Sequence, residues 1–566
     1  MEKKWILPSK NQIDFQEDFE KLFSLHPKIV EILINRGYNS KEKIEDFLNP
    51  RLKDLHSPFK MDDMEKVVLR IEKAIENNEK ILIYGDYDVD GTTSVAMLYL
   101  FLKKFHSKII YYLPDRYSEG YGISKTGIDF AISRGVSLII ALDCGTKDFE
   151  SISYAKKNNL DVIVCDHHQP DDNLPEAFAI LNPKKKKCDY PFKELSGCGV
   201  GFKLISAISE KKSLHAKEYF CFLDFVAISI ACDIVPILGE NRVLMDLGLK
   251  KISEKPLSVT KNFLAISGKS NFPSVSDIVF GIGPRINAAG RMDHAKIAVK
   301  ALLSEKGDEQ NKAIEHLEIL NNSRKEVDKQ ITEQALSMIE IDKDFEKKST
   351  TVLYNPIWHK GIIGIVASRC IEYFYKPTII LTLSQGKITG SGRSIHGINL
   401  YEVLNSCKNL LDRFGGHEFA AGMTLDILNL EKFKKKFDEE VSKKISKSDF
   451  SFPQNIDSKI DLSEIYYNLF ESINKMAPFG PGNMTPIFAS KVNQKVDYQI
   501  INNTHLKFSI KIKQGRMISA IAFNMKEKEK ILKDSNNFEI AFSVEEDTFL
   551  GNKELSLRVR DIKNCY

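Results

Sequence analysis

The sequence lacks the features typical of secreted proteins, of membrane-spanning proteins and of proteins with a structural zinc site. Its nine cysteines form no C-x-x-C pair, which favours reduced thiols over disulfides or a structural zinc site. Met1–Ser9 lacks the apolar core of a signal peptide. The most apolar run, Phe225–Leu238, is interrupted by Asp233 and is too short to span a membrane. We therefore expect a cytoplasmic protein without a membrane partner.

Net charge is also scarce. The balance of 81 Lys and Arg against 77 Asp and Glu leaves +4, which does not by itself indicate nucleic-acid binding. A hydrophobic fraction of 43% and a charged fraction of 28% are ordinary for globular domains and exclude a disordered or collagen-like chain. The length of 566 residues predicts three or four domains.

Short apolar runs alternate with helical patterns between residues 80 and 183. The predicted strands are Ile81–Tyr84, Ile109–Leu113, Leu138–Leu142 and Val162–Cys165. The predicted helices between them are Thr92–Phe105, Ser124–Arg134 and Asp148–Asn158. This βαβ series predicts an α/β fold, a doubly wound parallel sheet with right-handed crossovers.

The remainder of the chain divides into further parts. Gly and Pro are absent between Gly307 and Pro356, which predicts one long connecting helix. A second α/β stretch follows, then a polar linker, then short β runs with turn signals that predict a small barrel or sandwich. The predicted boundaries are 1–60 (N-terminal helical segment), 61–300 (parallel-sheet domain), 301–346 (connecting helix), 347–447 (second α/β domain) and 455–566 (β-barrel domain).

Carboxylates and imidazoles collect where the predicted strands end. In open α/β sheets, ligands bind outside the carboxyl ends of the strands. A later apolar segment, ending in Ala231-Cys232-Asp233, is expected at the same edge. The residues predicted to meet there are Asp86, Asp88, Asp90, Asp143, Asp166, His167, His168 and Asp233.

Such a cluster indicates bound cations. Like-charged carboxylates repel one another unless a compensating charge is present, and oxygen ligands with imidazole favour Mn²⁺ or Mg²⁺. Two such ions about 4 Å apart form the clamp used in phosphoryl hydrolysis. A single Asp at a strand end is usually a turn former or helix cap, but four clusters make coincidence a poor explanation. An EF-hand-like calcium loop is disfavoured because its closing Glu is missing.

The motifs resemble those of the DHH phosphoesterase superfamily and, within it, of the RecJ family of bacterial single-strand-specific 5′→3′ DNA exonucleases. The resemblance rests on Asp-x-Asp-x-Asp-Gly at 86–91, Asp166-His167-His168, the Arg-Ile-Asn-Ala-Ala-Gly-Arg run at 285–291, Ser391-Gly392-Arg393 and Gly415-Gly416-His417. Pro478-Phe479-Gly480-Pro481-Gly482-Asn483 extends it into the last domain, which resembles an OB-fold.

The resemblance implies roles for these residues. Asp90, Asp143, His167 and Asp233 would hold one divalent ion, and Asp86, Asp88 and Asp143 the other. Asp143 and His168 would act in catalysis, with Asp166 orienting an imidazole or a loop. Activated water would be the nucleophile, so no side-chain nucleophile is needed. The residues expected to bind substrate phosphates are Ser391, Arg393, Gly416, His417, Arg116, Arg285 and Arg291.

Other features leave alternatives open. The lysine run 184–187 is either a solvated loop or an electrostatic lip for a nucleic acid. Tyr121 and Phe479 either stack on bases or belong to a core.

The resemblance implies a metal-dependent enzyme that digests single-stranded DNA from its 5′ end to nucleoside 5′-monophosphates, in recombination and repair. A RecQ-type helicase and a single-strand-binding protein are implied partners. The alternatives are a phosphodiesterase for short oligonucleotides or cyclic dinucleotides, and an inactive DNA-binding scaffold. The extra third domain argues against the former and the complete ligand set against the latter.

Overall fold

The structure is a computed structural model that describes residues 3–8, 16–269, 272–445, 451–547 and 554–565. It divides into two compact units, one of Leu52–Ser451 and one that joins Glu2–Arg51 to Phe452–Tyr566. Within the described ranges, no helix has the length and apolar character that crossing a membrane requires.

The chain begins in the second unit with a short strand and three helices. They are β1 (Lys3–Ile6), α1 (Gln16–Phe23), α2 (Pro27–Asn35) and α3 (Lys41–Leu48). The His26 ring accepts the Lys28 N–H and Pro27 occupies the first turn, so α2 begins there. Residues 1–60 are predicted as a separate N-terminal segment, whereas the buried side chains of these helices pack in one core with C-terminal strands.

A five-stranded parallel sheet forms the centre of the first lobe of the larger unit (residues 52–303). Its strands are β2 (Ile81–Gly85), β3 (Ile109–Tyr112), β4 (Leu138–Leu142), β5 (Asp161–Cys165) and β6 (Ala179–Leu181). Their order is β3-β2-β4-β5-β6. Strands β2 and β4 are buried along their whole length, as expected for a sheet covered on both faces. The four predicted strands are confirmed, and β6 is an additional edge strand.

Helices cover both faces of this sheet. In chain order they are α4 (Met64–Glu76), α5 (Val89–Leu102), α6 (Lys125–Ser133), α7 (Phe149–Lys157), α8 (Gly197–Lys211), α9 (Lys217–Phe220), α10 (Leu223–Cys232), α11 (Gly239–Glu254), α12 (Ser258–Ile266), α13 (Val275–Asp277), α14 (Gly283–Met292) and α15 (Lys296–Leu303). Helix α5 begins three residues before the predicted start because Asp88 caps it, accepting the Gly91 N–H at 3.1 Å.

The predicted connecting helix is α16 (Asp308–Ile341), and it leads into the second lobe (residues 345–445). The elements of that lobe are β7 (Thr351–Tyr354), α17 (Ile363–Phe374), β8 (Thr378–Ser384), β9 (Lys387–Arg393), α18 (Leu400–Ser406), β10 (Arg413–Gly416), β11 (Ala420–Leu425) and α19 (Leu430–Ser442). The sheet has the order β10-β11-β9-β8-β7, with β7 and β8 parallel and the other pairs antiparallel.

The C-terminal part of the chain completes the second unit. Its elements are β12 (Phe452–Asn455), β13 (Ser458–Lys459), α20 (Tyr467–Lys475), β14 (Phe488–Val492), β15 (Asp497–Ile501), β16 (His505–Lys511), β17 (Met517–Ala522), α21 (Glu529–Asp534), β18 (Phe538–Asp547) and β19 (Glu554–Asn564). Strand β12 pairs with β1, and β13–β19 form one mixed seven-stranded sheet. The predicted β character is therefore confirmed. Phe479 packs against this unit's core, which favours its structural interpretation.

Candidate metal centre and phosphate pocket

The strand order places a crevice between the ends of β2 and β4. The chain moves from β2 to β3 on one side and then crosses to β4 on the other, which is the kind of switch point where open α/β sheets bind ligands. Gly85 pairs with Leu142, and Leu142 pairs with Cys165. The residues that follow these strands, Asp86, Asp143 and Asp166, are therefore neighbours at one edge.

Asp90 lies in the first turn of α5, where its carboxylate faces the N-terminus of α8. It accepts the backbone N–H groups of Gly197 at 2.6 Å and Cys198 at 2.7 Å, and the Ser229 hydroxyl at 2.7 Å. A helix N-terminus favours negative charge. These bonds hold the carboxylate in one orientation and leave it further lone pairs for a cation.

Asp143 follows β4 with a left-handed backbone, φ 61°, a conformation that Asp tolerates better than most residues. The turn brings its Oδ1 within 3.1 Å of the His167 Nε2. The N-terminus of α8 approaches so closely that a Cβ on Gly197 would lie 2.7 Å from the Asp143 Cβ. Glycine is therefore required at 197 for this packing.

Asp233 does not follow a strand, contrary to expectation, but is the C-cap of helix α10. Its Oδ2 lies 3.5 Å from the His167 Nε2, and the Asp90 Oδ2 lies 3.7 Å from the same nitrogen. Three carboxylates thus surround one imidazole nitrogen. The expected grouping is present even though its last member arrives from a helix.

Asp166 holds the Asp-His-His segment in place. Its Oδ1 accepts the backbone N–H groups of His167 at 2.7 Å and His168 at 3.1 Å, and lies 2.8 Å from the His168 Nδ1. Its Oδ2 accepts the Thr146 N–H at 3.0 Å. Both oxygens are therefore used within the protein, so Asp166 orients His168 and its loop.

The donor atoms of the cluster fit divalent cations. Three groups have ligand atoms within 4.8 Å of one another: Asp90 with His167 and Asp233, Asp86 with Asp88 and Asp143, and Asp143 with His167 and His168. Among the described side chains, the buried Asp86 Oδ1, Asp143 Oδ1 and both His167 nitrogens lack hydrogen-bond partners. Leaving such atoms unpaired is costly, and metal ligation would satisfy them.

The electrostatics of the cluster call for positive charge. Burial, followed by the charges of Asp90 and Asp88, raises the pKa of Asp143 well above its ordinary value. Burial and the Asp88 charge raise the pKa of Asp86 in the same way, and burial and Asp90 raise that of Asp233. Burial lowers the pKa of His167 to about 4. Its neutral imidazole is the form that ligates metals.

A second set of predicted residues lies at the end of β9 in the second lobe. The Arg393 Nη1 donates to the Ser391 Oγ at 3.1 Å and to the Gly392 carbonyl at 2.8 Å. A Cβ on Gly364, at the start of α17, would lie 2.9 Å from the Ser391 Oγ. A helix N-terminus beside a guanidinium and a hydroxyl is a natural anion site.

Gly416 and His417 lie beside this pocket through the β10–β11 hairpin. Gly416 has φ +143°, and a Cβ there would collide with the Ala420 carbonyl, so the turn needs glycine. Burial, followed by the charges of His168, Lys147 and Lys184, lowers the pKa of His417. His417 is therefore within electrostatic range of His168.

Arg116 and Arg291 interact electrostatically with both groups: the Arg116 charge acts on Asp86 and on Arg393, and Arg291 feels the charges of Arg393 and Asp88. Burial, followed by the charges of Arg116 and Arg393, lowers the pKa of Arg291 to about 9. Within the described part of the chain, Arg116, Arg291 and Arg393 form no salt bridge to a carboxylate; Arg291 donates to the Gly361 carbonyl, and Arg393 to Ser391 and the Gly392 carbonyl. Three adjacent, unneutralised guanidiniums are an arrangement that a polyanion stabilises.

Arg285 is not part of this group of guanidiniums. Its Nε lies 2.5 Å from the Glu318 Oε2, and its Nη2 donates to the Ile266 carbonyl at 3.4 Å. Those partners tie α14 to α16 and α12, so we reinterpret Arg285 as structural. The matched motif could not distinguish it from Arg291, six positions along the same segment.

The four lysines at 184–187 differ in burial and in their partners. Lys184 is half-buried, pairs with Glu194 at 3.2 Å and influences His167 and Asp233, so it faces the cluster. Lys185 is buried against Asp62 and Asp63 at 2.6 and 3.2 Å. Lys186 and Lys187 are exposed. One residue of the run thus fits the electrostatic lip, one is structural and two are solvated.

Two functional candidates were missed by the sequence analysis or left undecided by it. Tyr121 donates to the Asp143 carbonyl at 3.0 Å, and its hydroxyl lies 3.1 Å from the His168 Nδ1. Arg324, on α16, lines a cavity with Arg291, and within its own helix it donates to the Asn321 Oδ1 at 2.7 Å and lies 3.5 Å from the Asp328 Oδ2. A lone Arg on a charged helix carries no sequence signal, and only the packing of α16 against α14 brings these two arginines together.

Known proteins share this organisation. Residues 80–230 match the DHH family N-terminal domain, 347–443 the DHHA1 domain and 456–561 the RecJ OB domain. The single-stranded-DNA-specific exonuclease RecJ of Bacillus subtilis is 33% identical over 568 residues, covering 98% of this chain and 71% of that protein. This chain belongs to the RecJ family. The RecJ protein of Escherichia coli is 29% identical over 565 residues, covering 95% and 96%.

The fold agrees with that of solved RecJ structures. A crystal structure of RecJ in complex with Mn²⁺ from Thermus thermophilus superposes with a TM-score of 0.86 at 23% identity, covering 100% of this chain and 80% of that one. The corresponding complex with Mg²⁺ gives a TM-score of 0.81. The α/β fold class with a C-terminal OB domain is therefore confirmed.

Proposed function

We propose that this RecJ-family chain is a metal-dependent exonuclease that hydrolyses single-stranded DNA from the 5′ end and releases nucleoside 5′-monophosphates. The observation that carries the proposal is the juxtaposition of an acidic cluster, suited to divalent cations, with three guanidiniums that have no carboxylate partner. The cluster suits hydrolysis of a phosphodiester, and the guanidiniums suit a chain of phosphates. The names of the curated relatives support the same activity.

Asp90, His167, Asp233 and Asp143 would hold one Mn²⁺ or Mg²⁺ ion, and Asp86, Asp88 and Asp143 the second. Such ions supply Lewis acidity at the phosphate and lower the pKa of water. Asp143 is the ligand common to both positions. The Asp166 carboxylate, 2.8 Å from the His168 Nδ1, would hold the His168 ring beside the scissile phosphate or a water molecule.

The phosphate pocket would determine the direction in which the strand is digested. Ser391, Arg393 and the start of α17 would bind the terminal 5′-phosphate, with His417 and Gly416 on the hairpin beside them. Arg116 and Arg291 would neutralise the phosphates nearer the metal cluster. A strand anchored at its 5′ end in this way presents its first phosphodiester to the metals, and one nucleotide is released per cycle.

The test is digestion of a single-stranded oligonucleotide labelled at either end, with Mn²⁺. We expect labelled mononucleotide to appear at once from the 5′-labelled strand and only late from the 3′-labelled strand. Asp143→Ala should abolish release, while Asp172→Ala, an exposed carboxylate paired with Lys186, should not. Degradation from the 3′ end would contradict the polarity. Intact long DNA with rapid cleavage of dinucleotides would support the small-substrate alternative.

We further propose that a RecQ-type helicase and a single-strand-binding protein supply the strand in the cytoplasm, in recombination and repair. The family resemblance motivates this step. Co-purification of tagged chain with either protein, resistant to nuclease treatment, is the expected result. Recovery of neither protein would contradict the partnership.

A further inference from the structure

Ile234 has an unusual backbone conformation for its residue type. It follows Asp233, the C-cap of α10, with φ +62°. The position after a helix C-cap commonly adopts this left-handed conformation and is usually glycine, because a Cβ approaches the following carbonyl oxygen. Of the non-glycine residues with positive φ in the described ranges, Ile234 alone is β-branched.

Burial does not compensate for this strain. The Ile234 residue is 68% exposed, so its side chain gains little of the free energy that apolar burial provides. Glycine at this position would relieve the strain at almost no loss of packing. An exposed isoleucine held in a strained conformation beside a candidate metal ligand points to a role in binding rather than in folding.

The surroundings identify what it would contact. Ile234 lines a cavity of about 220 Å³ whose apolar wall includes Val279 and Ile365. The same cavity is lined by Arg291 and by Arg324, of which Arg324 also lies 3.5 Å from the Asp328 carboxylate. Arginine suits a phosphate and an apolar wall suits a sugar or base, so the cavity has the two chemistries of one nucleotide.

The position of the cavity determines which nucleotide it takes. Cys232, which lines the cavity, directly precedes Asp233, whereas His168 groups with Asp143 and His167 and not with Asp233. With the 5′ nucleotide bound on the His168 side, as proposed above, the cavity on the Asp233 side would receive the next nucleotide. We infer that Ile234 contacts the base of the second nucleotide from the 5′ end and positions the strand for cleavage. This inference rests on the proposed exonuclease function.

The experiment removes the contact from each side in turn. The substrates are 5′-phosphorylated, single-stranded oligonucleotides with an abasic nucleotide at position 1, 2 or 3, and the readout is the initial kcat/KM for release of the first nucleotide. We expect the loss of base 2 to reduce wild-type kcat/KM about tenfold, and Ile234→Gly to reduce kcat/KM on the intact strand by about the same factor. The two changes together should cost no more than either one.

Controls separate this role from a structural one. Ile427→Gly, at an isoleucine that is 52% exposed in the second lobe, should respond to abasic nucleotides as wild type does. Ile234→Gly should unfold at the same temperature as wild type or higher, since strain is relieved. Multiplicative losses at position 2, or coupling at position 1 or 3 instead, would overturn the inference. Failure of wild type to digest the intact strand would instead overturn the proposed function.

Discussion

Asp143→Asn separates two effects of this carboxylate: its repulsion by neighbouring carboxylates in the metal-free protein and its proposed ligation of both metal ions. The amide is nearly isosteric, and Asn tolerates the left-handed backbone at 143 as well as Asp does. Burial and the neighbouring charges of Asp90 and Asp88 raise the pKa of Asp143, so its ionised form is repelled in the metal-free protein. We expect metal-free Asp143→Asn to unfold at a temperature no lower than wild type.

With added metal, wild type should unfold at a higher temperature than Asp143→Asn. A ligand present at a hundred times its Kd stabilises the folded state by about 2.7 kcal/mol per site. For a large domain, 1 kcal/mol corresponds to roughly 2–4 °C in Tm, so saturating Mn²⁺ should raise the wild-type Tm by about 5 °C or more. Asp143→Asn should lose most of this increase because both proposed sites share the residue. Loss of about 4 kcal/mol of transition-state stabilisation would lower kcat about a thousandfold.

The assay is thermal unfolding of the full chain with EDTA and with Mn²⁺, beside a nuclease assay of the same samples. Asp172→Asn, at the exposed carboxylate paired with Lys186, is the matched control and should retain both the metal response and the activity. If Asp143→Asn kept the full Mn²⁺-induced increase in Tm, Asp143 would not be a shared ligand and the assignment would be refuted.

Three further substitutions test other parts of the structure. Arg393→Lys keeps the charge but loses the planar fork, so the kcat/KM ratio for 5′-phosphate over 5′-hydroxyl ends should fall about tenfold. Arg413→Lys, on an exposed part of the same sheet, should preserve the ratio. An unchanged ratio in Arg393→Lys would show that Arg393 does not bind the 5′-phosphate. Burial raises the pKa of Asp148 to about 6, so this carboxyl binds a proton more tightly in the folded protein than in the unfolded chain. The free energy of unfolding of wild type should therefore fall as the pH rises from about 4 to 6. Asp148→Asn should remove up to about 3 kcal/mol of that pH dependence, measured by urea unfolding with Mn²⁺ present, and parallel profiles for the two proteins would contradict this. Lys185→Met should destabilise the protein by about 1–2 kcal/mol because it leaves Asp63 without its buried cation, whereas the exposed Lys187→Met should be neutral in the same unfolding assay. Equal stability of both variants would restore the solvated-loop interpretation for Lys185.

Several elements could be read from the sequence because their causes are local. The strands β2, β4 and β5 are continuous apolar runs, and a helix without Gly or Pro is recognisable over the whole of α16. The Asp-x-Asp-x-Asp-Gly motif carries its own geometry, since Asp88 caps α5. Three strand-end clusters, together with Asp233 after a later apolar segment, then indicated a metal centre without knowledge of any long-range contact.

Other assignments needed contacts between residues far apart in the chain. The sequence shows an apolar run before Asp233, but only the packing of α10 against α5 and α8 brings that helix end to the sheet edge. Arg285 and Arg291 look equivalent in one motif, yet Glu318 neutralises the first while the second meets Arg116 and Arg393. The lysines at 184–187 differ in the same way, because acidic partners from other elements select one of them for burial.

The sequence by itself determined the periodic pattern of the parallel sheet, the long helix and the chemical types at the strand ends. The tertiary structure decided which of those side chains share a charge environment and which are paired elsewhere. The physical reason is that helix and strand patterns arise from neighbours along the chain, whereas pairing, burial and electrostatic interaction depend on distance in space. The strain at Ile234 is of the second kind, since no residue pattern reveals a left-handed isoleucine at the end of a helix.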